Sequence, residues 1–151
     1  MENSIFHTVA VGSDHAGFTL KSTLITWLAE HGYEALDCGC YTADSVDYPD
    51  IAKETCKAVT DKRADCAVLI CGTGIGISIS ANKIKGIRAA LCSDCFSTKY
   101  TRLHNNANAI CFGARVMADG LCEELLSIFL TTPFEGGRHQ RRIDKITALE
   151  E

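Results

Sequence analysis

Positive charge is scarce in this sequence: 15 Lys and Arg face 19 Asp and Glu, for a formal net charge of −4. Nucleic-acid-binding domains carry the opposite surplus, so no nucleic-acid partner is expected. Long apolar runs are missing as well. Nothing approaches the roughly 20 residues a helix needs to cross a bilayer, and no membrane partner is expected. The N-terminal "MENSIFHTVAVGSDHAG" lacks a basic leader and a small-residue cleavage pattern. It reads as a first strand and not as a signal peptide, which points to the cytoplasm. Proline occurs twice and tryptophan once, and there are no repeats, low-complexity tracts or linkers. A single domain over residues 1–151 is expected, long enough to bury roughly 70% of its unfolded surface.

Cysteine, by contrast, is plentiful: nine residues, an odd number spread through apolar segments such as "DCAVLIC" and "AICFG". Without a secretion signal a disulfide framework is not expected. Free cysteine packs as a small hydrophobe, and eight of the nine in this sequence are read that way. The spacings Cys38-x-Cys40 and Cys92-x-x-Cys95 invite a zinc or thiol-redox reading. No second Cys or His pair stands at a matching distance, so no metal is expected.

Short β-rich runs alternate with segments of helical period. Strands are expected at Phe6–Gly12, Glu34–Gly39, Cys66–Cys71, Arg88–Cys92 and Ala109–Gly113. Several are unbroken apolar runs, which suits strands of a parallel sheet covered on both faces. Helices are expected from Phe18 to near Gly32 and over Ile51–Asp61, Gly76–Ile84, Phe96–His104 and Met117–Leu130. An amphipathic segment at about Gln140–Leu149 follows beyond the sheet. This alternation predicts an α/β/α sandwich with right-handed crossovers. Ligands of such sheets sit at the carboxyl ends of strands, where strand order reverses, and the unusual polar clusters fall there.

"CGTGIG", Cys71 to Gly76, closes the third predicted strand with glycines at alternate positions. It lacks the Lys-Ser/Thr of a P-loop and the spacing of a dinucleotide fingerprint. What remains is a turn of backbone N–H groups at a helix N-terminus, suited to negative charge, to which Thr73 and Ser78 add hydroxyls. Tight packing alone is the competing explanation of the glycines. Cys71 at its lip has the setting of an activated thiol, or is one more buried cysteine. "GSDHAG" places Asp14 and His15 after the first strand, to move protons, hold a sugar hydroxyl or cap a helix. "RLHNNAN" brings His104 and Asn105 to a helix end, where a histidine also serves as a dipole partner. In "EGGRHQRRIDKI", Arg138 and Arg142 stand four apart and suit a phosphate if the segment is helical; Arg115 is a third candidate for the same anion.

Taken in order, "GSDHAG", "DYPD", "ICGTGIGISISANK", "GIRAALC", "RLHNNAN", "FGARV" and "FEGGRHQRRIDKI" closely resemble the RpiB/LacAB sugar-phosphate isomerase family over nearly the whole chain. The resemblance implies a Rossmann-like α/β/α fold with a mainly parallel five-stranded sheet and a C-terminal helix. It implies an aldose–ketose isomerase without metal or cofactor, interconverting ribose 5-phosphate and ribulose 5-phosphate through an enediolate. Cys71 matches the base and His104 the ring-opening histidine. Asp14, His15, Tyr48 and Asn105 match sugar contacts, and Gly72, Thr73, Gly74, Ile75 and Gly76 match the loop facing the enediolate oxygen. Arg115, Arg138 and Arg142 match phosphate contacts. Some members carry a glutamate base six positions after the cysteine; Ile77 stands there in this chain, which places it in the cysteine-base group. Family members are dimers or dimers of dimers whose sites are completed by the partner subunit. Galactose 6-phosphate or allose 6-phosphate is the competing substrate, and a non-catalytic nucleotide- or anion-binding module the competing class.

Overall fold

The computed structural model describes residues 4–151; the first three residues of the N-terminal stretch read above as leaderless lie outside them. Five strands, β1 (Thr8–Ser13), β2 (Glu34–Asp37), β3 (Cys66–Cys71), β4 (Ala89–Leu91) and β5 (Ala109–Gly113), alternate with helices. These are α1 (Phe18–Glu30), α2 (Tyr48–Thr60), α3 (Ile75–Ala81), α4 (Cys95–Asn105), α5 (Asp119–Thr131) and α6 (Arg138–Ala148). The sheet runs β2-β1-β3-β5-β4 and every pairing is parallel.

That order explains the strand sequences. β3 and β5 lie inside the sheet and are buried at every residue, whereas β2 and β4 are edges with partly exposed side chains. Alternate residues feed two cores. Val9, Val11, Val68, Ile70, Ile110 and Phe112 pack with Leu24 and Leu28 of α1 and Leu125 and Phe129 of α5. Ala10, Ala67, Leu69, Cys71, Ala109 and Cys111 face Ala52 and Cys56 of α2 and Ile77 and Ala81 of α3. The second face carries smaller side chains, so its helices sit close to the sheet.

Helix ends follow local chemistry. α1 stops where Gly32 takes φ +84°, letting Tyr33 N–H reach Leu28 O at 2.9 Å. α2 begins three residues before the expected Ile51, because Pro49 sits in its first turn, where a missing N–H costs nothing. Tyr48 therefore belongs to the helix and not to the loop before it. Asp94 caps α4 by accepting from Ser97 N–H at 2.7 Å.

All nine cysteines are free thiols. Seven are buried and Cys38 half-buried, but Cys95 is exposed at the start of α4, with its S–H toward a Glu124 oxygen at 3.7 Å. The expectation of eight packed thiols is therefore corrected at Cys95: the first turn of α4 turns that side chain outward. Among the described residues, no helix is long and apolar enough to cross a membrane.

Candidate active site

β1 and β3 are adjacent, while β2 lies on the far side of β1, so strand order reverses between them. This is where an open α/β sheet leaves a crevice. Ser13 pairs with Ile70 and Cys71 with Gly113, so the carboxyl ends of three central strands finish in line. Asp14 N–H donates to Ile70 O at 3.1 Å. With neighbouring strands about 4.8 Å apart, Asp14 stands beside Cys71.

Asp14 does the capping considered above: its Oδ1 accepts from Ala16 N–H at 3.0 Å and Gly17 N–H at 3.2 Å, and its side chain is buried. His15, half-exposed, receives Val46 N–H on Nδ1 at 3.3 Å, which ties it to the 38–47 loop. Asp14, His15, Ser45–Asp50, Gly72 and Arg115 enclose a cleft of about 570 Å³, enough for a small phosphorylated metabolite.

Each glycine of the turn faces a different neighbour. At Gly72 a Cβ would stand 3.3 Å from Arg115 Nη1, so the guanidinium lies over the turn. Gly74 has φ +78°, and a Cβ there would meet Leu91 Cδ1 at 2.5 Å and the Phe112 carbonyl carbon at 2.8 Å. At Gly76 it would strike the Tyr48 ring, 2.6 Å from Cζ. Packing thus requires glycine at Gly74 and crowds Gly76, whereas Gly72 meets only the movable Arg115 side chain; the same contacts bring Arg115 and Tyr48 to the lip of the cleft. Within the turn, Gly74 N–H donates to Cys71 Sγ at 3.2 Å and Ile75 N–H to Thr73 Oγ1 at 3.2 Å. Ser78 Oγ donates to Ile75 O at 2.8 Å and is engaged inside α3. Cys71 itself is 4% exposed.

Burial raises four other interior thiols: Cys122 is pushed up to about 11, Cys56 to about 12, Cys66 further still, and Cys111 well above its ordinary value, so these stay protonated. Cys71 differs from them in where it stands, at a strand end with a main-chain N–H aimed at its sulfur.

The remaining predicted residues form a second group, away from this cleft. His104 and Asn105 end α4; Arg138 and Arg142 lie exposed on α6, one turn apart, and neither is in an ion pair among the described residues. None of the four lines the cleft. The reason is topological. α4 runs antiparallel to the strands, so His104 lies near the amino end of β5, whereas Cys71 pairs with Gly113 at the carboxyl end. Those two ends of β5 are about 13 Å apart.

Glu135, and His139 of the basic segment, neither assigned a separate role from the sequence, join this second group. His104 stacks on His139 with ring centroids 4.0 Å apart at 12°, and its Nε2 lies 3.5 Å from Glu135 Oε2. His139 is buried, and that burial, with His104 and Arg138 nearby, holds its pKa below the usual histidine value. The glycine pair Gly136–Gly137, both at positive φ, was the available signal: it forms the turn that lays α6 over α4.

The model of the ribose/galactose isomerase family matches residues 9–146. The chain belongs to that family, and it is an isomerase. It is 43% identical to ribose-5-phosphate isomerase B of Escherichia coli (strain K12), covering 95% of this chain and 96% of that one. It is 39% identical to D-erythrulose-4-phosphate isomerase of Pectobacterium atrosepticum, covering 95% of each. Among solved structures, ribose-5-phosphate isomerase B of Clostridium thermocellum has a TM-score of 0.93 at 41% identity, covering 95% of this chain and 97% of that one.

Proposed function

We propose that this chain, folded as one domain, interconverts D-ribose 5-phosphate and D-ribulose 5-phosphate with Cys71 as the base. The observation that carries the reading is the Gly74 N–H on Cys71 Sγ at the strand-order reversal, with Asp14 on the adjacent strand end and Gly72, the next residue, lining the cleft that Asp14, His15 and Arg115 share. The thiolate takes the proton from carbon 2 of the open-chain aldose, leaving an enediolate; the hydroxyl proton passes from O2 to O1 and the thiol returns its proton to carbon 1, which gives the ketose and restores the thiolate. With Gly74 and Ile75 N–H engaged, Gly72, Thr73 and Gly76 are left to stabilise the enediolate oxygen. Tyr48 and His15 hold sugar hydroxyls, and Arg115 takes the phosphate.

Ring opening and the rest of the phosphate grip come from a second copy. The partner subunit's His104 acts on the ring oxygen, the partner's Asn105 contacts the sugar, and the partner's Arg138 and Arg142 close on the phosphate. The distance between His104 and Cys71 along the sheet supports a shared site, because one chain cannot bring both to one sugar. So do exposed apolar side chains on α3, β4 and α4: Ile75, Ile79, Leu91 and Phe96 are 52%, 58%, 42% and 70% exposed. Burying such a patch against a copy of itself is the usual route to a two-fold dimer. Nine free thiols suit the reducing cytoplasm.

A coupled assay on chelator-treated protein tests this. Ribose 5-phosphate should turn over with a higher kcat/KM than allose 6-phosphate, galactose 6-phosphate or erythrulose 4-phosphate. Preference for one of the others would move the assignment to that sugar; nucleotide binding without turnover would favour the anion-binding module.

A further inference from the structure

The Gly136–Gly137 turn brings three metal-ligating side chains together outside the cleft. One donor atom from each of His104, Glu135 and His139 lies within 4.8 Å of the other two. His104 Nε2 is 3.5 Å from Glu135 Oε2, and His139 Nε2 is 4.0 Å from the same oxygen. His139 is only 4% exposed, and its Nε2 has no hydrogen-bond partner. Protein interiors rarely leave such an atom orphaned, and here it points at the other two donors. Neither His139 nor Glu135 has a part in the isomerisation proposed above.

We infer that His104, Glu135 and His139 form a binding site for a borderline divalent cation, with zinc the physiological candidate, and that its binding silences ring opening. Two imidazoles and one carboxylate are a three-residue zinc set that keeps a fourth position for water. The nitrogens argue against calcium and magnesium, which prefer all-oxygen shells, and the absence of sulfur from the set argues against Cu(I). Tetrahedral zinc with bonds of 2.0–2.2 Å spaces its donors roughly 3.3–3.6 Å apart. The His104–Glu135 spacing already fits. The remaining closure falls to the two side chains free to move, since Glu135 is 50% exposed and His104 34%, while His139 is fixed by packing. Fanning the His104 ring away from its stacked partner lets both nitrogens converge on one ion. A metal on that nitrogen occupies the lone pair His104 needs to accept or pass a proton. The inhibitory half of the inference rests on the ring-opening role proposed for His104; the binding half does not.

Calorimetric titration of Zn²⁺ into the chelator-treated, desalted chain tests it, with Cys38→Ser and Cys95→Ser removing the thiols that reach solvent. Binding should saturate at about one ion per chain, and Glu135→Ala and His139→Ala should each weaken it at least about tenfold. Glu135 is exposed, so its loss leaves the fold intact even if the hole at His139 does not. No saturable binding, or unchanged affinity in Glu135→Ala, overturns the site. In the isomerase assay, zinc should suppress the parent far more than Glu135→Ala; equal suppression overturns the inhibitory half. A chain that binds zinc but leaves ribose 5-phosphate unchanged would instead remove the proposed function and keep the site.

Discussion

At the scale of single residues, the chemistry depends on one thiol standing apart from eight others. Cys56, Cys66, Cys111 and Cys122 are closed in by packing on all sides and hold their protons. Cys71 packs in the same core as Cys56 and Cys111, but beyond it lies the turn whose Gly74 N–H meets the sulfur. Cys71→Ser keeps the shape but puts an alcohol where the base must be, so kcat should fall by at least about 10²-fold with KM little changed. Steady-state kinetics on ribose 5-phosphate checks this; an unchanged kcat would remove Cys71 as the base. The distinction was half legible in the sequence. A cysteine ending an apolar run before alternate glycines marks a strand end, but a strand end alone does not separate a base from filler.

At the scale of elements, the turn between β3 and α3 is shaped by what passes over it. Gly74 combines a left-handed φ with main-chain atoms of Phe112 within 3.0 Å of a would-be Cβ. Backbone cannot yield as a flexible side chain does. Gly74→Ala should therefore destabilise the fold by more than the roughly 1 kcal/mol of a simple left-handed penalty, as urea unfolding would measure. A loss below that would mean the turn can shift away from β5. Buried Lys21 shows a different limit of sequence reading. It sits on α1 as a lysine that a sequence places in solvent. In the fold its Nζ bonds Asp37 Oδ1 and Cys40 O, both at 2.6 Å, beneath the Tyr41 ring. It thereby fastens α1 to the end of β2 and the loop that also carries the His15 partner, Val46.

At the scale of the whole molecule, two consequences can be measured. If sites are shared, Cys71→Ser and the double variant Arg138→Ala, Arg142→Ala fail in different halves of the same site. Random mixing of the two inactive proteins should then restore about a quarter of the sites, since half the dimers are mixed and each has one intact site. No recovery after subunit exchange would place the whole site in one chain. The second concerns pH. Cys56 and Cys122 have folded pKa values raised above the ordinary value of 9.0, to about 12 and about 11, because burial disfavours their thiolates. Below about pH 9 both states keep these protons and stability is untouched; above it the unfolded chain binds fewer, so stability falls as pH rises toward 12. Circular dichroism against pH should show this alkaline loss, and Cys56→Ala should make it less steep.

What the amino-acid sequence determined by itself was the local order: five apolar runs, the helices between them, and chemistry gathered at the turns. Those follow from periodicity, capping and the conformational reach of glycine, all properties of neighbouring residues. Tertiary structure decided the rest. The strand order set Asp14 beside Cys71 and carried His104 to the far end of the sheet, and the fold of α6 over α4 joined His139 and Glu135 to it. Such meetings depend on which strands pair and which helices pack, and so on contacts between residues tens of positions apart. No local pattern encodes them.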